Sequence, residues 1–582
     1  MGDVPPSPSV HGIGGQSATL GCMSSDMQDP AADAPVTTPS SASTPFATLA
    51  GAYLDELFAD RPSFATFQGI EGLDDRSPDL GPAAVADREQ RADGWLARFG
   101  ELDDTLLTDD ERIDRDLVVS VLRGDLVKRD WREWQRSPDT YLGPALMGVF
   151  SLFLRRPLPE GELVAAAEAR LRAVPDLLAA GRANLDPALA PEILVRRAQG
   201  QCQAGEAYAR DLVPAEVEDP ALRARLAEAG QVAAQAFADF GAFLDDLAGQ
   251  AKGDWALGEE RYSALLQQAE LLDYDTASLH RRGEELWAEL DAEMTELART
   301  IDADTTDAGG WAAVVEALGD NRPQTPDEMR AAYESETERC RTFLVHHELV
   351  SFVDGERCDV LPSPPFQRPV LAVASYFQPP AFQPSRIGVF NVPYPPEGTS
   401  DDEVAKRLAD NGYHVVPTIT AHEAYPGHHW HLTTMLSAPP LRQVHRSTYF
   451  TEGWGLYAER LMREQGYFAD PRDELMHLNM RIFRAARIVV DTALHSGDMT
   501  VDEAITFMRE RAGLTEPVAR AEVLRYCAWP TQAASYLTGC VEIERMRDRW
   551  LGEGRGDLRA FHDTLCATGG LPIALAERAA FA

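Results

Sequence analysis

Residues 422–431 read HEAYPGHHWH, and five of the chain's thirteen histidines (His414, His422, His428, His429, His431) fall within eighteen residues. A histidine followed at once by glutamate is how the HExxH arrangement begins. There, two histidines one helical turn apart bind zinc and the glutamate faces the bound water. Here the second histidine comes late, at position +6 or +7. On an unbent helix His428 would lie at about 600° from His422, well off its face. His429 would share the face but sit roughly 10 Å further along the axis. Pro426 and Gly427 offer a way round this. Proline removes a helical hydrogen bond and glycine tolerates unusual dihedrals, so a bulge can absorb two residues and bring His428 into the second ligand's place. His428 is therefore the preferred partner of His422, with His429 as a supporting neighbour or the alternative ligand.

A catalytic zinc needs a third protein ligand and an open position. The amphipathic stretch TEGWGLYAERL (451–461) supplies a candidate. Glu452 stands 24 residues after His428, room enough for a turn and a returning helix. Glu459, seven residues further, shares its face two turns along. Glu452 is assigned as the ligand and Glu459 as the group that orients a histidine. Glu423, beside the first ligand, is placed to act as general base. A lone His or Glu on a helix is most often solvated or satisfied. A His-Glu pair, two further histidines and an acidic helix together are harder to obtain by accident. The ligand types favour Zn²⁺.

The elements that must position these residues are mostly helices. Leu279, Leu286, Leu290, Met294 and Leu297 recur near a period of 3.6, and similar runs fill 162–182 and 221–248. Strand patterns are confined to RPVLAVASYF (368–377) and RIGVFNVPY (386–394), just upstream of the histidine motif. The expected fold is mainly α, a large multi-helix assembly with a small β-sheet near the cleft. It divides into a disordered tail over 1–45, a helical part over 46–366 and a metal-site part over 367–582, the last two integrated as lobes of one domain. A chain of 582 residues is long enough for such a deep-cleft architecture.

The formal net charge of −39 argues against binding nucleic acid or an anionic membrane. Seven scattered cysteines without a CxxC pair fit reduced thiols in a cytoplasm. Leu20-Gly21-Cys22 looks faintly like a lipidation site, but no apolar run precedes it. No stretch approaches a membrane span.

Several motifs together resemble the domain-of-unknown-function 885 family, grouped with gluzincin-like zinc metallopeptidases. Its hallmark HExYPGHH is matched by His422, Glu423, Tyr425, Pro426, Gly427, His428 and His429. EGWGLYAERL (452–461), RIVVDTALHSG (487–497), RYCAWPTQAASY (525–536), FHDTLCATGGLP (561–572) and ATFQGIEGLDD (65–75) match further signatures. The chain departs at His431, where the family often has Gln, at Ala493, where Gly is usual, and at Thr531, where Gly is frequent. All three flank the presumed cleft and would bear on substrate choice. The resemblance implies a helical, zinc-peptidase-like fold.

Donors for an oxyanion are expected among the matching motifs: His495 and Tyr536, with Tyr526 behind them. Buried tyrosines in bundles are usually core residues, which is the competing reading. Arg484 and Arg487 could hold a substrate carboxylate bidentately. Either could instead pair with Asp491 along the same helix. Tyr376, Arg386 and Asn391 could line the rim. The expected activity is hydrolysis of short peptides or peptide-like amides by a chain that is monomeric or a homodimer. The alternatives are acyl transfer or a specialised amide hydrolysis in biosynthesis, and a binding protein with a vestigial site.

Overall fold

Amphipathic spacing fixes the longest helices, and their apolar stripes fix how they pack. The computed structural model describes residues 44–365, 367–368 and 373–582. The 162–182 pattern folds as α1 (Glu160–Asn184) and the 221–248 pattern as α2 (Pro220–Ala248). They pack along each other through Leu163, Leu171, Val174 and Leu178 on one side and Phe237, Phe240 and Leu244 on the other. Each fully buried leucine contributes about 1.5–3 kcal/mol. The third stripe becomes α3 (Thr276–Ile301). Asp275 caps it by accepting a hydrogen bond from the Ser278 N–H at 2.7 Å, and Leu279, Leu286, Leu290 and Met294 are buried while Leu297 is partly so. Helix α4 (Pro326–His346) follows and leads to the sheet.

The sheet has three strands, β1 (Arg357–Pro362), β2 (Ser375–Phe377) and β3 (Ile387–Val392), in the order β1-β3-β2. β1 runs parallel to β3 with Val360 opposite Phe390, and β2 runs antiparallel with Tyr376 opposite the same residue. The sequence pattern anticipated β3, and β2 is the end of the first strand-like stretch. Residues 369–372 of the first strand-like stretch lie outside the described residues, as do residues 1–43 with Leu20-Gly21-Cys22. β1 was not anticipated. It is short, partly exposed and carries Arg357 and Asp359, so its apolar alternation is weak.

Downstream come α5 (Val416–Glu423), α6 (His428–Thr434), α7 (Thr448–Glu464), α8 (Pro471–Ser496), α9 (Glu516–Ala528) and α10 (Ser535–Gly552). Helix α7 packs against α5 and α10, and α8 lies along α3, so a helix upstream of residue 366 shares its core with one downstream. Phe46–Ala582 forms one compact unit. Among the described residues no helix is long and apolar enough to cross a membrane.

Candidate metal centre

The histidine motif does not form one bulged helix. α5 stops at Glu423, and Ala424 (φ −105°, ψ −90°) and Gly427 (φ −72°, ψ −134°) leave the helical region before α6 starts at His428. The Tyr425–Pro426 peptide between them is cis. The turn folds back so tightly that a Cβ on Gly427 would lie 1.8 Å from the His422 carbonyl oxygen, which only glycine permits. Trp454 of α7 fastens the turn through its indole N–H to the Pro426 carbonyl at 2.8 Å. The outcome is nevertheless the one the bulge was meant to achieve: His422 and His428 face each other, with ring centroids 4.6 Å apart.

Glu452 completes the group. Its Oε2 lies 3.6 Å from His422 Nε2 and 3.5 Å from His428 Nε2, and the three ligand atoms all fall within 4.8 Å of one another. Those separations are long for hydrogen bonds. They suit ligands sharing one ion: bonds of about 2.0–2.1 Å at tetrahedral angles separate neighbouring ligand atoms by roughly 3.3–3.4 Å. The three residues therefore fit a zinc ion. Gly455, one turn after Glu452's own position, leaves space for the His422 ring; a Cβ there would sit 2.6 Å from Cε1 of His422.

A buried carboxylate stands behind the first histidine. Nδ1–H of His422 donates to Oε1 of Glu459 at 2.8 Å. Oε2 of Glu459 accepts from Thr418 Oγ1 at 2.6 Å and from His477 Nδ1 at 3.2 Å. Burial alone would raise the Glu459 and Glu452 carboxyls, but the histidines around each hold both well below the usual carboxylate range. Burial would likewise lower His422, and Glu452 and Glu459 instead push it up to about 10. Thr418 and His477 carried no motif signal, because each matters only through Glu459.

His429 faces the other way. Its Nε2–H donates to Glu356 at 2.7 Å and its Nδ1 accepts from the Tyr376 hydroxyl at 2.9 Å, so both ring nitrogens are engaged away from His422. Glu356 also accepts from the Tyr425 hydroxyl at 2.6 Å, which ties β1's approach to the turn. Nothing in the sequence marks Glu356, 73 residues upstream of its histidine. His414 is apart from the group, bridging Asp473 at 2.7 Å and Asn321 at 3.0 Å. His431 is buried with neither ring nitrogen hydrogen-bonded among the described residues.

Glu423 is partly exposed, and among the described residues no hydrogen bond or ion pair holds its carboxylate. Burial raises its pKa, and the charges of His428 and His422 offset part of that rise. Tyr536, on the first turn of α10, accepts a long hydrogen bond from Gln532 at 3.4 Å. Burial raises its pKa and the Glu452 charge adds to it, so the hydroxyl stays protonated within electrostatic reach of the cluster.

The structure separates other expected residues from this group. His495 lies eleven residues, roughly 16 Å along α8, beyond Arg484. Its Nδ1 accepts from the Leu257 N–H at 3.2 Å and its Nε2–H donates to the Tyr526 carbonyl at 3.1 Å, leaving no donor for an oxyanion. Arg487 pairs neither with substrate space nor with Asp491. It binds Glu522 at 2.7 Å and the Tyr526 hydroxyl at 3.1 Å, and Tyr526 donates to the same Glu522 at 2.6 Å. That closed, buried network is a packing device between α8 and α9. Asp491 instead accepts from the Tyr262 hydroxyl at 2.6 Å and the Thr531 N–H at 3.0 Å. Arg386 donates to carbonyls of its own loop, and Asn391 is buried in β3. Arg484 is buried without a carboxylate at ion-pair distance among the described residues; Nη1 donates to the Met480 carbonyl at 3.0 Å, and its charge reaches Glu423.

Two solved structures share this fold. One is described as "a putative lipoprotein of unknown function" from Shewanella oneidensis; it is 20% identical, with a TM-score of 0.76 over 92% of this chain and 99% of that one. The other, "the putative lipoprotein from Colwellia psychrerythraea", is 20% identical, with a TM-score of 0.78 over 92% of this chain and 98% of that one. No curated protein matches the chain. The family model for "bacterial protein of unknown function (DUF885)" matches residues 62–579, nearly the whole described chain, and the protein belongs to that family.

Proposed function

We propose that the protein is a zinc-dependent hydrolase of short peptides or peptide-like amides. The observation that carries this reading is the convergence of His422 Nε2, His428 Nε2 and Glu452 Oε2 beside an unpaired Glu423. Two imidazoles and one carboxylate suit Zn²⁺ better than Mg²⁺ or Ca²⁺. Zinc held there would polarise a carbonyl and make a water more acidic. Glu423 takes a proton from the attacking water and returns it to the leaving amine, a task that favours a raised carboxyl pKa and no competing partner. Tyr536, whose protonated hydroxyl feels the Glu452 charge, would be the donor that meets charge developing on the carbonyl oxygen. Glu459 fixes the His422 tautomer. The described cysteines are all free thiols, which supports a reducing compartment such as the cytoplasm.

The test is elemental analysis of protein purified without a histidine tag, followed by a library of short peptides and amides with and without chelator. One zinc per chain and chelator-sensitive hydrolysis are expected. Glu423→Gln should keep zinc and fold while turnover drops by about 10²–10⁴-fold. Folded, active protein without metal would overturn the reading, as would an undiminished Glu423→Gln.

A further inference from the structure

A buried guanidinium is costly unless an anion accompanies it. In a chain of net charge −39, carboxylates are at hand. Arg442 meets Asp110 and Asp114, Arg481 meets Glu544, and Arg487 meets Glu522. Arg155 and Arg446, both part-buried, depart from this pattern, as do Arg170 and Arg484. Among the described residues, neither Arg155 nor Arg446 has a carboxylate within ion-pairing distance. Arg155 donates from Nε to the Phe67 carbonyl at 3.2 Å and from Nη1 to the Gln378 carbonyl at 2.6 Å, and its Nη2 is buried with no acceptor. Arg446 donates from Nη1 to the side-chain oxygen of the same Gln378. One residue thus ties together two cations that repel each other. Burial lowers both guanidiniums to about 10, and the charge of Arg446 lowers Arg155 further.

Arg446 acts on the elements that carry the metal centre: its charge reaches His431, one turn after His428 on α6. Arg446 lines a cavity of about 560 Å³ together with Tyr449, Thr531 and Gln532. Tyr449 precedes Glu452 by one turn of α7, and Gln532 is the residue bonded to Tyr536. The pKa of His431 is lowered by burial and then by the charges of both His428 and Arg446. Its two ring nitrogens and Gln378 Nε2 are all buried and unbonded among the described residues. Glu270, Asp125 and Glu133 also line the cavity, as do Arg61, Lys128 and Arg136; Oε2 of Glu270 accepts from Ser447 at 2.5 Å. Enclosed polar atoms without partners beside two uncompensated cations, of which Arg446 opens on this cavity, favour a polar anion at that place.

We propose that Arg155 and Arg446, held by Gln378, dock a carboxylate of the substrate beside the metal centre. The enzyme then selects short peptides or amides that carry a carboxylate beyond the reacting amide. The reaction rests on the hydrolase reading above; the docking itself does not. A planar guanidinium meets a carboxylate with two parallel hydrogen bonds, which gives both charge and direction to the contact. The carboxylate can belong to a free C-terminus or to an acidic side chain.

The experiment titrates three probes calorimetrically into the full chain, as purified and after metal removal. They are N-acetyl-Ala-Ala with a free C-terminus, its C-terminal amide, and the amide of N-acetyl-Ala-Glu. At least one carboxylate probe should bind about ten-fold tighter than the neutral amide in both preparations, and the one that does identifies the source. Arg155→Gln and Arg446→Gln should each abolish the preference, and Arg446→Lys should retain part of it. Equal binding of the three probes to the unaltered chain overturns the proposal whether or not the variants fold. So does a preference that persists in both folded glutamine variants. A carboxylate preference without zinc or hydrolysis would leave the docking site standing and remove the hydrolase reading.

Discussion

His422 and Glu459 are joined by one 2.8 Å hydrogen bond from Nδ1–H to Oε1, and this bond determines that Nε2 is the nitrogen turned toward Glu452 and His428. The neighbouring donors Thr418 and His477 occupy the second oxygen of the same carboxylate. Three donors thus converge on one buried acceptor, and the imidazole they orient has little freedom to rotate.

Glu459→Gln should therefore weaken zinc binding without unfolding the chain. An amide accepts at one end only, so at least one of the three donors loses its partner. Zinc affinity, read by competition with a chromophoric chelator, is expected to fall about 10–100-fold. Unchanged affinity would mean that packing over Gly455 alone orients the ring.

The two adjacent histidines should separate cleanly. His428→Ala removes a nitrogen that converges on Glu452 and should abolish stoichiometric zinc. His429→Ala should keep the metal, because its ring is held by Glu356 and Tyr376 instead. Metal content of the two purified variants decides it, and the reverse order would contradict the geometry.

Much of this site was legible because its parts are close in sequence or lie on one helix face. Glu452 and Glu459 are two turns apart, so α-helical periodicity alone puts them on one side of α7. The choice between His428 and His429 was harder. It depends on a turn that ends one helix and starts another, and the periodicity of a single helix has no term for that. His495 and Arg487 sit in matching motifs, yet their polar atoms are satisfied by Leu257, Tyr526 and Glu522, partners that only the tertiary packing supplies. Arg155 and Arg446 carried no signal at all. Their meaning lies in the carboxylates missing around them, and a missing neighbour cannot be read from spacing.

Thr531 is a place where the sequence resemblance leads one to expect glycine, and its backbone conformation suits glycine. Its φ is +71°, in the left-handed region that a β-branched residue resists. Its N–H nevertheless donates to Asp491 and its carbonyl accepts from the Tyr449 hydroxyl at 3.1 Å, so the surroundings hold it there. The left-handed conformation costs a non-glycine residue about 1–2 kcal/mol. Glycine's extra unfolded-state freedom returns roughly 0.5–1 of that. Thr531→Gly should stabilise the chain by about 0.5–1 kcal/mol, seen as a higher urea midpoint at unchanged slope. A lower midpoint would show that the threonine side chain contributes more than its backbone costs.

His495 should matter for acid stability rather than for turnover. Burial lowers its pKa to about 4, and protonating Nδ1 would set a new N–H against the Leu257 N–H that it now accepts. In the unfolded chain the same imidazole titrates near 6.5. Between those values the unfolded state binds the proton and the folded state does not, so stability rises with pH across the window. The contribution is fully present above about 6.5 and is lost as pH falls toward 4, by up to about 1.4 kcal/mol for each pH unit. His495→Asn keeps an acceptor near the position of Nδ1 but does not titrate. Relative to this variant, the unaltered chain should lose stability between pH 6.5 and 4, measured by urea unfolding at a series of pH values. Two parallel stability curves across that range would show that the imidazole titrates normally in the folded protein. A kcat lowered far more than stability would return His495 to the catalytic group and contradict the placement of its two nitrogens.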